Sequence, residues 1–145
     1  MRVAAGLLLV VMALAAANAA DQRTGPPPAP SGLPFSPAVQ VGDTLYVSGH
    51  LAIDPTTGQA PADTRAEAAM VLDAVKQTVE SSGFTMDDLV SVTVYCTDLG
   101  LFDTFNGVYR GYFHGRFPAR AFIGVSTLLR GAHFEVQGIA VRRSH

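Results

Sequence analysis

The alternation of apolar and polar positions divides the chain into strands and helices. SPAVQVG and DTLYVSGHLAI repeat with a period of two and predict two strands, with Gly42-Asp43 suited to the tight turn between them. Asp54-Pro55 and Thr57-Gly58 mark a loop. The period then changes. In DTRAEAAMVLDAVKQTVESSG, residues Ala68, Leu72, Val75 and Val79 form one helical stripe, Thr64 with Glu67 fits a capping box, and Gly83 suits the stop. LVSVTVYCTDL reads as a strand. LFDTFNGVYRGYFHG predicts a shorter helix with Phe102, Phe105, Tyr109 and Phe113 close to one face, against the weakening effect of Gly107 and Gly111. ARAFIGVSTL and HFEVQGIAV, joined by LLRGA, predict the last two strands. The order β-β-α-β-α-β-β implies an α+β fold, with two helices on one face of a mixed sheet.

Alternation also sorts the last two strands by face. Ala121, Ile123 and Val125 share one side of the first; Arg120, Phe122, Gly124 and Ser126 share the other. Phe134 and Val136 oppose Glu135, Gln137, Ile139 and Val141 in the second. Helices cover only one face, so Phe122, Ile139 and Val141 are expected on an uncovered face, which implies a homo-oligomer packed sheet to sheet. Arg120 and Glu135 would then point into a crevice between subunits. A structural ion pair is the other reading of these two charges, since a buried charge needs a partner. Hairpin register argues against their direct pairing, because a turn near Arg130 sets Arg120 opposite Ile139.

The chain has 145 residues, enough for one domain with a real core, and its 48% hydrophobic content excludes a disordered chain. A formal charge of −2 and the lack of a basic run argue against nucleic-acid binding. The first 19 residues have one cation at Arg2, an apolar run to about Ala17 and Ala17-Asn18-Ala19, the pattern of a secretory signal peptide. Cleavage fits after Ala19 or Ala20; an uncleaved anchor is the rival reading. Export to a periplasmic or extracellular space follows, with no membrane association once the signal is removed. Residues 20–33 are rich in proline and glycine and are expected to be a lead-in without regular structure, and 34–143 the folded domain. Cys96 has no partner for an intrachain disulfide and reads as a small buried hydrophobe. His50, His114, His133 and His145 show no metal-ligand spacing, so no metal is expected.

Arg120 opens an apolar strand with no acidic residue nearby in sequence. It does so within FPARAFIGVSTLLRGAHFEVQGIAV. That segment, PFSPAVQVGDTLYVSGHLAIDPTTGQ and DDLVSVTVYCTDLGLFDTFNGVY together resemble the RidA (YjgF) family over about Pro34 to Arg143. The specific features are SGH near the start, TD-x6-FN at the second helix and PAR near the end. The resemblance implies a chorismate-mutase-like fold and a homotrimer with clefts between subunits. It also implies cofactor-free hydrolysis of reactive imines and enamines, such as 2-aminoacrylate, to 2-keto acids and ammonia. The family arginine falls on Arg120 and the glutamate on Glu135. A guanidinium offers a planar fork of donors for a carboxylate, and a glutamate can orient or deprotonate a water. Ser48 and Gly49 would line the cleft, with Asn106 either lining it or packing structurally.

The chain departs from the family pattern at several positions. Phe35 stands where many members have Tyr, and Phe122 where many have Cys or another small residue, which implies a narrowed or reshaped pocket. His50 replaces the usual Gln, and LLRG the usual LP-K turn. Two function classes stay open on the sequence: an imine deaminase, and a non-catalytic trimer that binds small carboxylates or a protein partner.

Overall fold

A computed structural model describes residues 23–24 and 32–142. The expected signal peptide, most of the lead-in, and Arg143 lie outside the described residues. The elements run β1 (Arg23–Thr24), β2 (Ala38–Val41), β3 (Thr44–Leu51), α1 (Thr64–Ser81), β4 (Leu89–Cys96), α2 (Phe102–Tyr109), β5 (Ala119–Gly124) and β6 (Phe134–Val141). The sheet order is β1-β2-β3-β6-β4-β5; only β4 and β5 are parallel. Both helices lie on one face. Residues 23–24, expected to lack regular structure, pair antiparallel with Gln40–Val41 and so occupy backbone groups that β2 would otherwise leave open at the edge.

The α1 stripe packs as its spacing requires: Ala68, Leu72, Val75 and Val79 are each at most 1% exposed. They meet Leu45, Val92, Val94, Phe134 and Val136 from the sheet and Phe105 from α2 in one core. Gly83 ends the helix with φ +77°, in the left-handed region that glycine occupies without strain. Cys96 is fully buried, its thiol bonded to the Asp98 carbonyl at 3.0 Å and its pKa raised by burial.

The expected capping box is not formed. Asp63 caps α1 instead, its Oδ1 accepting from the amides of Arg65 (2.8 Å) and Ala66 (3.1 Å). Glu67 is released for a different task. Its carboxylate is fully buried and accepts from the backbone N–H of His133 (2.6 Å) and Phe134 (2.9 Å), and from His133 Nδ1 (2.7 Å). One α1 side chain thus fixes the entry into β6.

The last two strands do not form a hairpin. β6 inserts between β3 and β4, while β5 pairs with β4, Val92 opposite Arg120 and Val94 opposite Phe122. Paired residues on neighbouring strands share a face. Val92 and Val94 face the helices, so Arg120 and Phe122 do too. This corrects the expected placement of both on the uncovered face: Ala121 and Ile123 take that side instead, with Ile123 42% exposed. The β6 assignment holds. Phe134 and Val136 are buried, while Glu135, Gln137, Ile139 and Val141 lie half-buried on the open face.

Replacing Glu67 by Ala strands one buried and one partly buried N–H donor and should cost roughly 3–5 kcal/mol of stability. Glu67→Gln, which keeps one acceptor oxygen, should cost less. Urea unfolding of both variants measures the difference; equal stability of wild type and Glu67→Ala would contradict the role given to this carboxylate.

Candidate functional site

The residues singled out by sequence fall into two groups on opposite faces of the sheet. The first surrounds Arg120. Its Nη2 donates to Asn106 Oδ1 at 2.6 Å, so α2 supplies the acceptor and β5 the cation. The guanidinium carbon lies 4.5 Å from the Tyr109 ring centroid, 5.7 Å from Phe102 and 5.8 Å from Phe122. Cation–π attraction to these rings partly compensates desolvation of the charge. Among the described residues no carboxylate forms an ion pair with Arg120. The structural ion pair with Glu135 is therefore not formed within the chain, and the cation keeps donors for an incoming anion.

This arginine opens onto a cleft of about 370 Å³, lined by Phe102, Asn106, Tyr109, Arg110, Phe117 and Arg120 among others. Phe102 and Asn106 of α2 and Arg110, which caps its C-terminus, recur at four-residue spacing and so lie along one side. Tyr109 is 4% exposed, and its hydroxyl has no hydrogen-bond partner among the described residues. Burial pushes its pKa up to about 12, against the opposing pull of Arg120. Phe122 does not wall the cleft as its size implied. It turns inward, edge-on to Phe102 (5.1 Å) and Phe105 (5.6 Å).

The second group lies on the open face. Glu135 is half-buried on β6, opposite Tyr95 on β4 and Leu51 on β3. Burial raises its pKa above the ordinary carboxylate value. Its carboxylate passes over Gly49, where a Cβ would collide with Oε1. The β3 register shifts between Val47 and His50, and this irregularity contains Ser48 and Gly49. Ser48 Oγ donates to the Ser36 carbonyl at 2.6 Å, and the Ser48 amide donates to the Pro37 carbonyl at 3.0 Å. The segment carrying Phe35, which is 56% exposed, is thereby tied to the bulge.

His50 anchors the other side of the bulge. Nδ1–H donates to the Ser48 carbonyl (2.7 Å), which leaves Nε2 to accept from Thr78 Oγ1 of α1 (2.8 Å). Burial lowers its pKa, favouring this neutral ring. Sequence reasoning noted His50 only as a departure; its distance from a glutamine is small, since both side chains can donate at one end and accept at the other.

The two groups do not meet within the chain. Arg120 is paired with Val92 and Glu135 with Tyr95, three residues further along β4. The two therefore lie two strands apart, about 10 Å, and offset by about 10 Å along the strands. Their side chains also leave opposite faces. Sequence reasoning did not single out Tyr109, Phe102, Arg110 and Phe117 as site residues. The available signal was their spacing from Asn106 along α2 and the adjacency of Phe117 to the PAR motif. Among the described residues no group of three His, Cys, Asp or Glu side chains is placed to hold a metal ion.

Residues 27–142 match the family model described as Endoribonuclease L-PSP. A 2-iminobutanoate/2-iminopropanoate deaminase of Escherichia coli (strain K12) is 39% identical over 113 residues, 76% of this chain and 88% of its own. A RutC family protein of Sulfurisphaera tokodaii is 40% identical over 110 residues, 75% of this chain and 87% of its own. The crystal structure of the E. coli YjgF gene product superposes with a TM-score of 0.73 at 39% identity, covering 80% of this chain and 93% of that one.

Gly49→Ala should cost roughly 1–3 kcal/mol by driving the Glu135 carboxylate from its place. In a Glu135→Ala background the same substitution should cost little. A double-mutant cycle by urea unfolding reads this coupling; additive effects would mean that Gly49 is not there to admit Glu135.

Proposed function

This chain belongs to the Endoribonuclease L-PSP (RidA/YjgF) family, and we propose that it hydrolyses 2-imino acids, with their enamine tautomers, to 2-oxo acids and ammonia. The supporting observation is a half-buried arginine, held by an amide oxygen and aromatic rings, that faces an open cleft with no carboxylate paired to it. Arg120 binds the substrate carboxylate through two parallel N–H···O bonds. Asn106 fixes the orientation of the fork. Glu135 takes a proton from water as its oxygen adds to the imine carbon; the C=N π pair moves to nitrogen, which receives that proton from Glu135. Glu135 then passes the hydroxyl proton of the tetrahedral adduct to the same nitrogen, and ammonia leaves as the C=O bond forms. Holding water and imine together supplies much of the acceleration, since the carbon is already electrophilic.

Both halves are needed, and one protomer presents them on opposite faces. The reading therefore includes a homotrimer in which the β5 edge of one subunit meets the open β3–β6 face of the next. Tyr46 (50% exposed) and Ile123 (42% exposed) give that face apolar area to bury. We place the mature chain outside the cytoplasm, on the strength of the first 19 residues. No cofactor enters this mechanism.

An RNA-cleaving activity, which the family description names, has weaker support. The net charge is −2, and a phosphate backbone selects a broad basic footprint. A carboxylate-binding trimer without turnover is the second reading, and Arg120 alone suffices for it; Glu135 separates the two.

Imino acids generated in situ by an amino-acid oxidase should release ammonia and oxo acid faster in the presence of the mature protein. Arg120→Ala should lower kcat/KM by about 100-fold or more. Arg120→Lys, which keeps charge but loses the fork, should fall between the two. Failure of a correctly assembled trimer to accelerate release from any imine would leave the binding reading.

The pH profile has a fixed sign. A base must be deprotonated, so activity should fall as pH drops through the Glu135 pKa, which burial raises above the ordinary carboxylate value. Glu135→Gln should lose most activity and this acid limb with it. An unchanged limb in Glu135→Gln would assign water activation elsewhere.

A further inference from the structure

We propose that His50 is a positioning residue: it holds the Ser48–Gly49 bulge in place, and through Gly49 it sets where the Glu135 carboxylate rests. This role deepens the proposed reaction and rests on Glu135 as its base; His50 acts only through the backbone. The β3–β6 register explains where its ring lies. Val47 pairs with Gly138 and His50 with Val136, so Ser48 and Gly49 stand against Gln137 alone. Two residues opposing one make a β-bulge, which re-aims the side chains beyond it. Without the extra residue, alternation from buried Val47 would put His50 on the open face. With it, His50 shares the face of buried Val136 and turns towards α1, while Leu51 joins Glu135 on the other side.

A bulge gives up ladder bonds, and other bonds hold this one. The Ser48 amide donates to the Pro37 carbonyl (3.0 Å), its hydroxyl to the Ser36 carbonyl (2.6 Å), and its carbonyl accepts from His50 Nδ1 (2.7 Å). The first two tie the bulge to the segment before β2. The third reaches another layer, because His50 Nε2 accepts from Thr78 Oγ1 of α1 at 2.8 Å. The Thr78 carbonyl is engaged separately, by Ser81 Oγ (3.0 Å) and Ser82 Oγ (2.8 Å). The imidazole is thus a rigid strut between helix and bulge. All its partners belong to one chain, so the strut is complete before subunits meet.

The link onward to Glu135 is steric. Its carboxylate lies so close over Gly49 that a Cβ there would collide with Oε1 and crowd the carboxyl carbon. A side chain packed on bare backbone follows that backbone when it moves. Misplacing a reacting group by about 1 Å can cost on the order of 100-fold in rate. Glutamine can donate at one end and accept at the other, so it can span the same gap; alanine cannot. With the ring removed, the Thr78 hydroxyl can donate to a carbonyl of its own helix. The bulge, not α1, then bears the loss.

The test compares His50→Ala, His50→Gln and Thr78→Val in the full mature protein. Carbon NMR titration follows the Glu135 carboxyl, and steady-state kinetics follow oxidase-generated imines. In His50→Ala the Glu135 midpoint should move by about half a pH unit or more. Its kcat should fall about tenfold with KM within about twofold, since Arg120 is untouched. His50→Gln should return the midpoint to that of wild type and kcat to within about twofold of it. Thr78→Val removes only the far partner of the ring. It should shift both readouts the same way by less, and it answers the question if His50→Ala does not fold. In a Glu135→Gln background, His50→Ala should lower the residual kcat no further. An unmoved midpoint in His50→Ala and Thr78→Val, a loss that His50→Gln shares in full, a rise in KM at constant kcat, or a full further loss without Glu135 would each overturn the proposal. The titration needs no turnover, so it separates this role from the reaction. A wild type that hydrolyses no imine, but whose Glu135 midpoint moves in His50→Ala, keeps the positioning role and removes the deaminase. Hydrolysis with an unmoved midpoint and an unchanged kcat in His50→Ala keeps the deaminase and removes the role of His50.

Discussion

The pairing of β5 with β4, Val92 against Arg120 and Val94 against Phe122, decides which groups each side of the molecule can present. Shifting that register by one residue would move Arg120 to the open face and Ile123 into the core. In the observed register the guanidinium enters the layer between sheet and α2, where Asn106 and Tyr109 receive it. The same pairing leaves β5 at the sheet edge, so the cleft beside Arg120 opens outward. Glu135, two strands away, is left to the other face with Gly49 beneath it.

Much of this was legible in the sequence, and the failures have physical causes. The stripe Ala68, Leu72, Val75 and Val79 predicted α1 because one uninterrupted period governs it. The Gly42-Asp43 turn and the Gly83 stop followed from local backbone chemistry. The face of β5 did not. Apolarity favoured Ala121 and Ile123 for the core, but β5 is an edge strand whose core side is shared with a cation, and its neighbour is β4 rather than the strand next in sequence. Thr64 and Glu67 satisfied a local capping rule. A tertiary demand outranked it, because two amides and a histidine at the start of β6 needed a buried acceptor.

The sequence offered the candidate site as a set of residues but not as an arrangement. Arg120, Asn106, Ser48, Gly49 and Glu135 were singled out, and the structure gives each a specific neighbour. Phe122 was expected in the pocket wall and instead braces Phe102 from behind. Tyr109 was placed only on the aromatic face of the second helix; it is buried in the core, and the face of its ring also carries the cation. A residue with two such duties gives only the stronger signal, here helical apolarity. With the arginine and glutamate halves on opposite faces, the proposed trimer makes a subunit interface a condition for chemistry and not a source of stability alone.

The most direct test of that account is complementation between two inactive variants. Arg120→Ala and Glu135→Gln chains, unfolded together and reassembled in equal amounts, should form mixed trimers in which one chain contributes the arginine and its neighbour the glutamate. Random assembly should recover about a quarter of wild-type sites. Imine hydrolysis returning to that level, from mixed trimers verified by native mass spectrometry, is the predicted result. Mixed trimers no more active than either variant alone would mean that the two halves do not combine across an interface, and the composite site would be wrong.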